Sequence, residues 1–187
     1  MKLSTLKDLF VDKLRDLYSA ETQLLKALPK MAEAASSREL KRGFEKHLRQ
    51  TRGHVQRLKK ICAQLDVAPT GKAMQGLIEE GGEVIEEEMD PEVKDAALIA
   101  TAQRVEHYEI AGYGCVRTYA KLLKNSKAAE LLQQTLNEEG ETDKALTAMA
   151  RTINVEAEHP HTNGRSTNGR ASRRKPLRKR IRAAFGL

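Results

Sequence analysis

Four segments of the chain place acid, amide or imidazole side chains where a helical stripe calls for leucine or alanine. In RVEHYEIAGYG (104–114), Glu106 and Glu109 lie three residues apart and so share one helix face. Glu21 interrupts a stripe of Leu14, Leu17, Leu24, Leu28 and Met31. His47, Gln50 (or Thr51 beside it) and His54 interrupt Leu40, Phe44, Leu58, Ile61 and Leu65. Glu138 interrupts Ala128, Leu131, Thr135, Thr142, Ala145 and Met149, with Glu139 and Asp143 on the adjoining edge. A buried carboxylate costs on the order of several kcal/mol unless compensated, and two together cost more because like charges repel.

Taken singly, each interruption has an ordinary reading. A glutamate on a leucine stripe is commonly a stripe-edge residue facing water, a core histidine is commonly a satisfied packing residue, and NEEGETD (137–143) alone would be a solvated acidic face. The coincidence across four helices carries more weight. Each interruption falls near the middle of its helix, so antiparallel packing would bring Glu21, Gln50, His54, Glu106, Glu109 and Glu138 to one level. Hydrogen bonds alone do not neutralise such a group, whereas two iron or manganese ions would, since a carboxylate-rich, histidine-poor donor set suits those metals. These six are the expected metal-facing set, with His47, Glu139, Asp143 and Tyr113 as supporting or alternative groups. His107 falls off the inner face. Chemistry at such a pair would be ferroxidase, peroxidase or catalase-like; no separate nucleophile or general acid is visible, and Cys62 and Cys115 cannot build a four-thiolate iron centre. Each cysteine is expected to pack at a helix interface.

The elements that must position these groups read as four long helices at about 5–35, 38–66, 91–123 and 127–153. Pro29 should perturb the first near its end. SSRE (36–39) has capping-box spacing from Ser36 to Glu39, Asp90-Pro91 reads as a cap and first helical position, and Ser126 reads as the last cap. Between the second and third helices, residues 67–90 hold a shorter helical segment, KAMQGLIEEGGEVIEEE, weakened by Gly81-Gly82. Short, long and short connections imply two antiparallel hairpins joined by a crossover with its own helix. The fold class is therefore all-α, a ferritin-like four-helix bundle.

DLYSAETQLLKALPKM (16–31), HLRQTRGHVQRL (47–58), AMQGLIEEGGEVI (73–85), KDAALIATAQRVEHYEIAGYG (94–114) and KAAELLQQTLNEEGETDKAL (127–146) resemble the bacterial YciF-like stress-protein family of the ferritin-like superfamily. The resemblance spans about residues 3–153 in order. It implies a ferritin-like domain, dimeric, with a dinuclear metal site and a link to stress responses but no established reaction. By motif it implies Glu21, position 50, Glu106, Glu109 and Glu138 or Glu139 as ligands. One departure stands out: the family places Glu at position 50, and here it is Gln50, a weaker, uncharged donor that His54 could replace. The ferritin-like E-x-x-H is absent from both the second and fourth helices.

Composition divides the chain unequally. The 187 residues are 40% hydrophobic but only 4% aromatic, which favours one helical domain. All 26 acids precede Gly164 and face 24 basic residues, leaving −2 there and +9 beyond. We expect a bundle at 1–154, a flexible linker at 155–172 with its repeated TNGR, and a basic tail at 173–187. Arg173, Arg174, Lys175, Arg178, Lys179, Arg180 and Arg182 could bind DNA, RNA or an acidic partner, or PLRKRIRAAFGL could lie as an amphipathic helix on a partner or membrane. No apolar run is long enough for a signal peptide or a membrane span, so a cytoplasmic protein is expected, at least a homodimer.

Overall fold

Side-chain caps open three of the helices in the computed structural model, which describes residues 3–69, 71 and 73–158. Thr5 caps α1 (Leu6–Ala34) reciprocally: its hydroxyl accepts the Asp8 amide at 3.1 Å and its own amide donates to the Asp8 carboxylate at 2.9 Å. Pro29 removes one amide donor from the last turns, yet α1 continues through it. The cap of α2 (Arg38–Gln64) is Ser37, not Ser36, and its hydroxyl accepts the Leu40 amide. The Ser36 and Ser37 amides instead donate to the buried carboxylate of Asp95, at 2.8 and 2.6 Å, from the opposite hairpin.

The crossover carries α3 (Gln75–Glu86), which runs unbroken through Gly81 and Gly82. Both are buried, and a Cβ on Gly81 would stand 3.2 Å from Thr101 Cγ2, so the glycine allows close approach to α4 (Pro91–Leu122). Asp90 precedes Pro91 at the start of α4 as expected but makes no side-chain cap bond. The cap of α5 (Ser126–Glu158) is Asn125, whose Oδ1 accepts the Ala128 amide at 3.1 Å, with Ser126 already inside the helix. α5 also runs beyond the expected end at 153. The rest of the expected linker and the whole basic tail lie outside the described residues.

α1 pairs with α2 and α4 with α5; the hairpins meet through α1 against α4 and α2 against α5, while α3 packs on α4 and α1. Two apolar clusters result. One joins Leu24, Leu28, Phe44, Leu98, Val105, Leu146 and Met149; the other joins Phe10, Leu14, Leu17, Leu58, Ile61, Val116 and Leu132. On all four long helices the residues between those clusters are polar and buried: Glu21, then His47, Thr51 and His54, then Glu106 and Glu109, then Thr135 and Glu139. Cys62 packs in the second cluster, but Cys115 is exposed, contrary to expectation. Among the described residues there is no strand, and no helix is long and apolar enough to cross a membrane.

Candidate metal centre

The polar layer draws one acid from α1, two imidazoles from α2, two acids from α4 and one from α5. Glu21, His54, Glu109 and Glu139 are fully shielded from solvent, and Glu106 and His47 nearly so. Their donor atoms gather into two groups: Glu21, His54 and Glu139, and His47, Glu106, Glu109 and Glu139. Glu139 belongs to both.

In the first group the charges answer one another. His54 Nδ1 lies 2.8 Å from Glu139 Oε1 and 3.2 Å from Glu21 Oε1. These contacts are close without hydrogen-bond alignment, since Nδ1 and Glu139 Oε1 both lack a hydrogen-bond partner. Burial opposes the imidazolium, but Glu139 and Glu21 outweigh it and raise His54 to about 10. Burial likewise opposes the Glu139 charge, yet contact with His54 keeps its carboxyl below the usual range. Glu21 moves the other way, to about 7, because burial outweighs the help from His54. Tyr113 Oη donates to Glu21 Oε1 at 2.5 Å from a fully buried position, which gives the tyrosine a partner in the layer.

The second group has no such answer. Both Glu109 oxygens, Glu106 Oε2 and His47 Nε2 are buried without a hydrogen-bond partner. His47 Nε2 faces Glu106 Oε1 at 3.2 Å, while its Nδ1 lies 3.3 Å from the Thr142 hydroxyl. Because that hydroxyl donates to the Glu138 carbonyl, it accepts from Nδ1–H and leaves the Nε2 lone pair facing the acids. Burial and neighbouring carboxylates raise Glu106 and Glu109 well above the carboxylate range, and burial lowers His47.

Two expected residues lie at the edge of the layer rather than at its centre. Glu138 stands at the rim, about one fifth exposed, while Glu139 is the α5 acid in the layer. Glu138 accepts from the two terminal Arg57 nitrogens, Nη1 and Nη2, at 2.8–3.0 Å and meets His54 Nε2 at 2.8 Å. Arg57, overlooked in the sequence, thereby ties the rim together, and it also donates to Thr135 Oγ1 at 2.8 Å. Partial burial opposes the Glu138 charge, but Arg57 and His54 outweigh it and hold its carboxyl low. Gln50 borders the layer half-buried, with a shielded Oε1 that accepts no hydrogen bond, and His47 is the α2 side chain gathered with Glu106 and Glu109. His107 is exposed, as expected, and faces Asp143 at 3.2 Å outside the layer.

The donor set fits two divalent cations. Four central carboxylates match their charge, two imidazoles complete a mixed donor set, and the partnerless atoms are those a metal would occupy. The His54–Glu138 contact has the form in which a ligating histidine donates its other N–H to a carboxylate.

Residues 5–158 match the family described as a domain of unknown function, DUF892. The chain belongs to that family. It is 46% identical over 164 residues to Protein YciF of Escherichia coli strain K12, covering 85% of this chain and 99% of that one. The crystal structure of the E. coli stress protein YciF superposes with a TM-score of 0.79 at 44% identity, over 82% of this chain and 99% of that one. At the level of fold alone, a ferritin-like, diiron-carboxylate protein from Bacillus anthracis matches with a TM-score of 0.64 at 16% identity, over 79% of this chain and 99% of that one. A dodecameric thioferritin from Bacteroides fragilis matches at 0.65 and 17%, over 84% and 92%. The chain is thus similar to YciF over most of its length and shares its fold with ferritin-like proteins.

Proposed function

We propose that this bundle binds two iron or manganese ions and acts in a stress response on peroxide, oxygen or iron. The observation that carries the reading is the layer of partnerless buried acid and imidazole atoms in two groups sharing Glu139. Glu21, His54 and Glu139 would hold one ion, and His47, Glu106, Glu109 and Glu139 the other. When bound, such a pair supplies one-electron redox chemistry. The protein's own part is positional. Tyr113 holds Glu21, Glu138 and Arg57 hold the His54 ring with Nδ1 inward, and Thr142 holds His47 with Nε2 inward. The two apolar clusters keep bulk water from the layer. Likeness to a named stress protein and to a diiron-carboxylate fold supports the same reading.

Metal analysis after reconstitution tests it. Two equivalents per chain are expected, falling in Glu106→Ala and Glu109→Ala; substoichiometric metal, unchanged in both variants, would overturn it.

A second reading rests on the +9 segment after Gly164. Such a segment would bind nucleic acid without sequence preference, with affinity falling steeply between about 50 and 200 mM salt. Truncation at Gly164 should abolish that binding while leaving the metal content intact. Binding that survives truncation would assign it to the bundle instead. A homodimer is part of the proposal and is read by sedimentation.

A further inference from the structure

EEGGEVIEEEMDPE (79–92) carries eight acids and no lysine or arginine, and it spans most of α3 and the turn into α4. Glu79, Glu83 and Glu87 are exposed and stand four residues apart, so they form one stripe of like charge along the helix. Such a stripe repels itself. The helices packed on α3 bring four cations to this level, Lys26 and Lys30 from α1 and Lys94 and Arg104 from α4, half the number of acids. Arg104 is paired with Glu80, and Lys94 donates to the Ile85 and Glu87 carbonyl oxygens at 3.0 and 2.6 Å. A net negative face remains.

The chain leaves the bundle at the same end. α4 and α5 run antiparallel in a register set by Gln103 with Thr147, His107 with Asp143 and Arg117 with Gln133. Continued along the hairpin, that register puts Glu158 level with about Glu92. It also brings Val155 and Val93, both exposed, within about one turn of each other beside the acids. Beyond Glu158, residues 159–172 lead to a segment, 173–187, with seven lysines or arginines and no acid. Leu177, Ile181 and Phe185 recur in that segment every four residues. The fourteen linking residues reach at most about 50 Å, and α3 is only about 18 Å long, so the whole face lies within range.

We infer that residues 173–187 dock on the acidic face of α3 and the α3–α4 turn of their own chain. The arginines and lysines answer the Glu79, Glu83 and Glu87 stripe, and the apolar residues between them have Val93 and Val155 to cover. The tether makes the encounter intramolecular, at an effective concentration on the order of millimolar. Docking therefore competes with any other polyanion for the same cations. That last consequence rests on the nucleic-acid reading above; docking itself does not.

The test is paramagnetic broadening in the full-length protein, with a nitroxide on Ser172→Cys in a Cys115→Ser background, Cys62 being buried. Amides of 79–92 should broaden while those of 119–127, at the opposite end, stay sharp. A tethered label passes near this end even without docking, so the deciding comparison removes the stripe. In the combined Glu79→Gln, Glu83→Gln and Glu87→Gln variant, broadening of 79–92 should fall at least threefold, and about 0.5 M salt should do the same. Unmoved 119–127 signals verify that the variant is folded. Broadening indifferent to both changes would overturn the inference. Mixing isotope-labelled protein without nitroxide and unlabelled protein with it should give no broadening; broadening there would assign the face to the tail of a second copy and overturn docking within one chain. Duplex DNA should relieve the broadening as it binds. DNA that binds and leaves the broadening in place would overturn this inference, whereas no DNA binding with the broadening intact would overturn the nucleic-acid reading alone.

Discussion

The two sides of the polar layer use the same residue types and reach opposite electrostatic states. Around His54, charge is balanced inside the protein: an imidazolium faces Glu139 and Glu21, and Arg57 and Glu138 close the rim. Around His47 the same chemistry is left unbalanced, because desolvation lowers the imidazole and raises Glu106 and Glu109. The difference comes from position rather than composition. His54 sits at 2.8 Å from the acid shared by both groups and is braced from behind by Glu138, whereas His47 lies 3.9 Å from that acid and is braced by a neutral hydroxyl. One side is therefore balanced within the protein and the other is not.

Substitutions that exploit this asymmetry should separate the two sides. The largest effect is expected for Glu139→Ala, which removes the shared donor and should take metal content from two equivalents toward none, against the loss of one for Glu109→Ala; elemental analysis of reconstituted protein reads both. Next comes stability without metal, from urea unfolding in chelator. Glu139→Ala removes the fully buried one of the two carboxylates that lie 2.8 Å from the His54 imidazolium and should cost about 3–5 kcal/mol. Glu109→Leu removes an uncompensated acid and should stabilise the metal-free protein by about 1–4 kcal/mol at pH 8.

A smaller effect is expected from pH. Glu21 is raised from 4.5 to about 7, so its contribution to stability is complete below 4.5 and is lost as pH rises through about 7. At about 1.4 kcal/mol per unit this is a decline of about 3 kcal/mol. Glu106 and Glu109 act in the same sense. His54 adds stability that is complete below 6.5 and is lost as pH rises to about 10, whereas Glu139, whose carboxyl is lowered, adds stability that is present above 4.5 and is lost only as pH falls below it. Metal-free protein should thus lose thermal stability from pH 5 to 8, while bound metal, which needs deprotonated ligands, should reverse the slope. The smallest change belongs to Arg57→Ala, expected to weaken metal binding about tenfold by loosening Glu138 behind His54, as read by chelator competition.

Much of this arrangement was legible in the sequence because it rests on spacing. The polar interruptions of four stripes and the short, long, short connections specify the bundle and the level of the layer. That Glu138 reads as the inward acid of α5 has a definite reason. Leu131 and Leu132 are adjacent, as are Ala128 and Ala129, and a stripe drawn through Leu131 turns α5 by one residue. Leu132 is the leucine fully in the core, and following it to Thr135 and Glu139 corrects the face. The cap at Ser37 was hidden similarly by two adjacent serines, whose amides are claimed by Asp95, 58 or 59 residues away. Arg57 carried no signal at all, since one arginine on a basic helix gains meaning only when Glu138 is placed opposite it.

The central claim is that one glutamate joins two cation positions, only one of which the protein can balance by itself. Anomalous diffraction from crystals of the protein reconstituted with iron or manganese tests it most directly. The account predicts two peaks, one among Glu21, His54 and Glu139 and one among His47, Glu106, Glu109 and Glu139, with Glu139 contacting both. Metal bound elsewhere, or a layer without any peak at full loading, would contradict it.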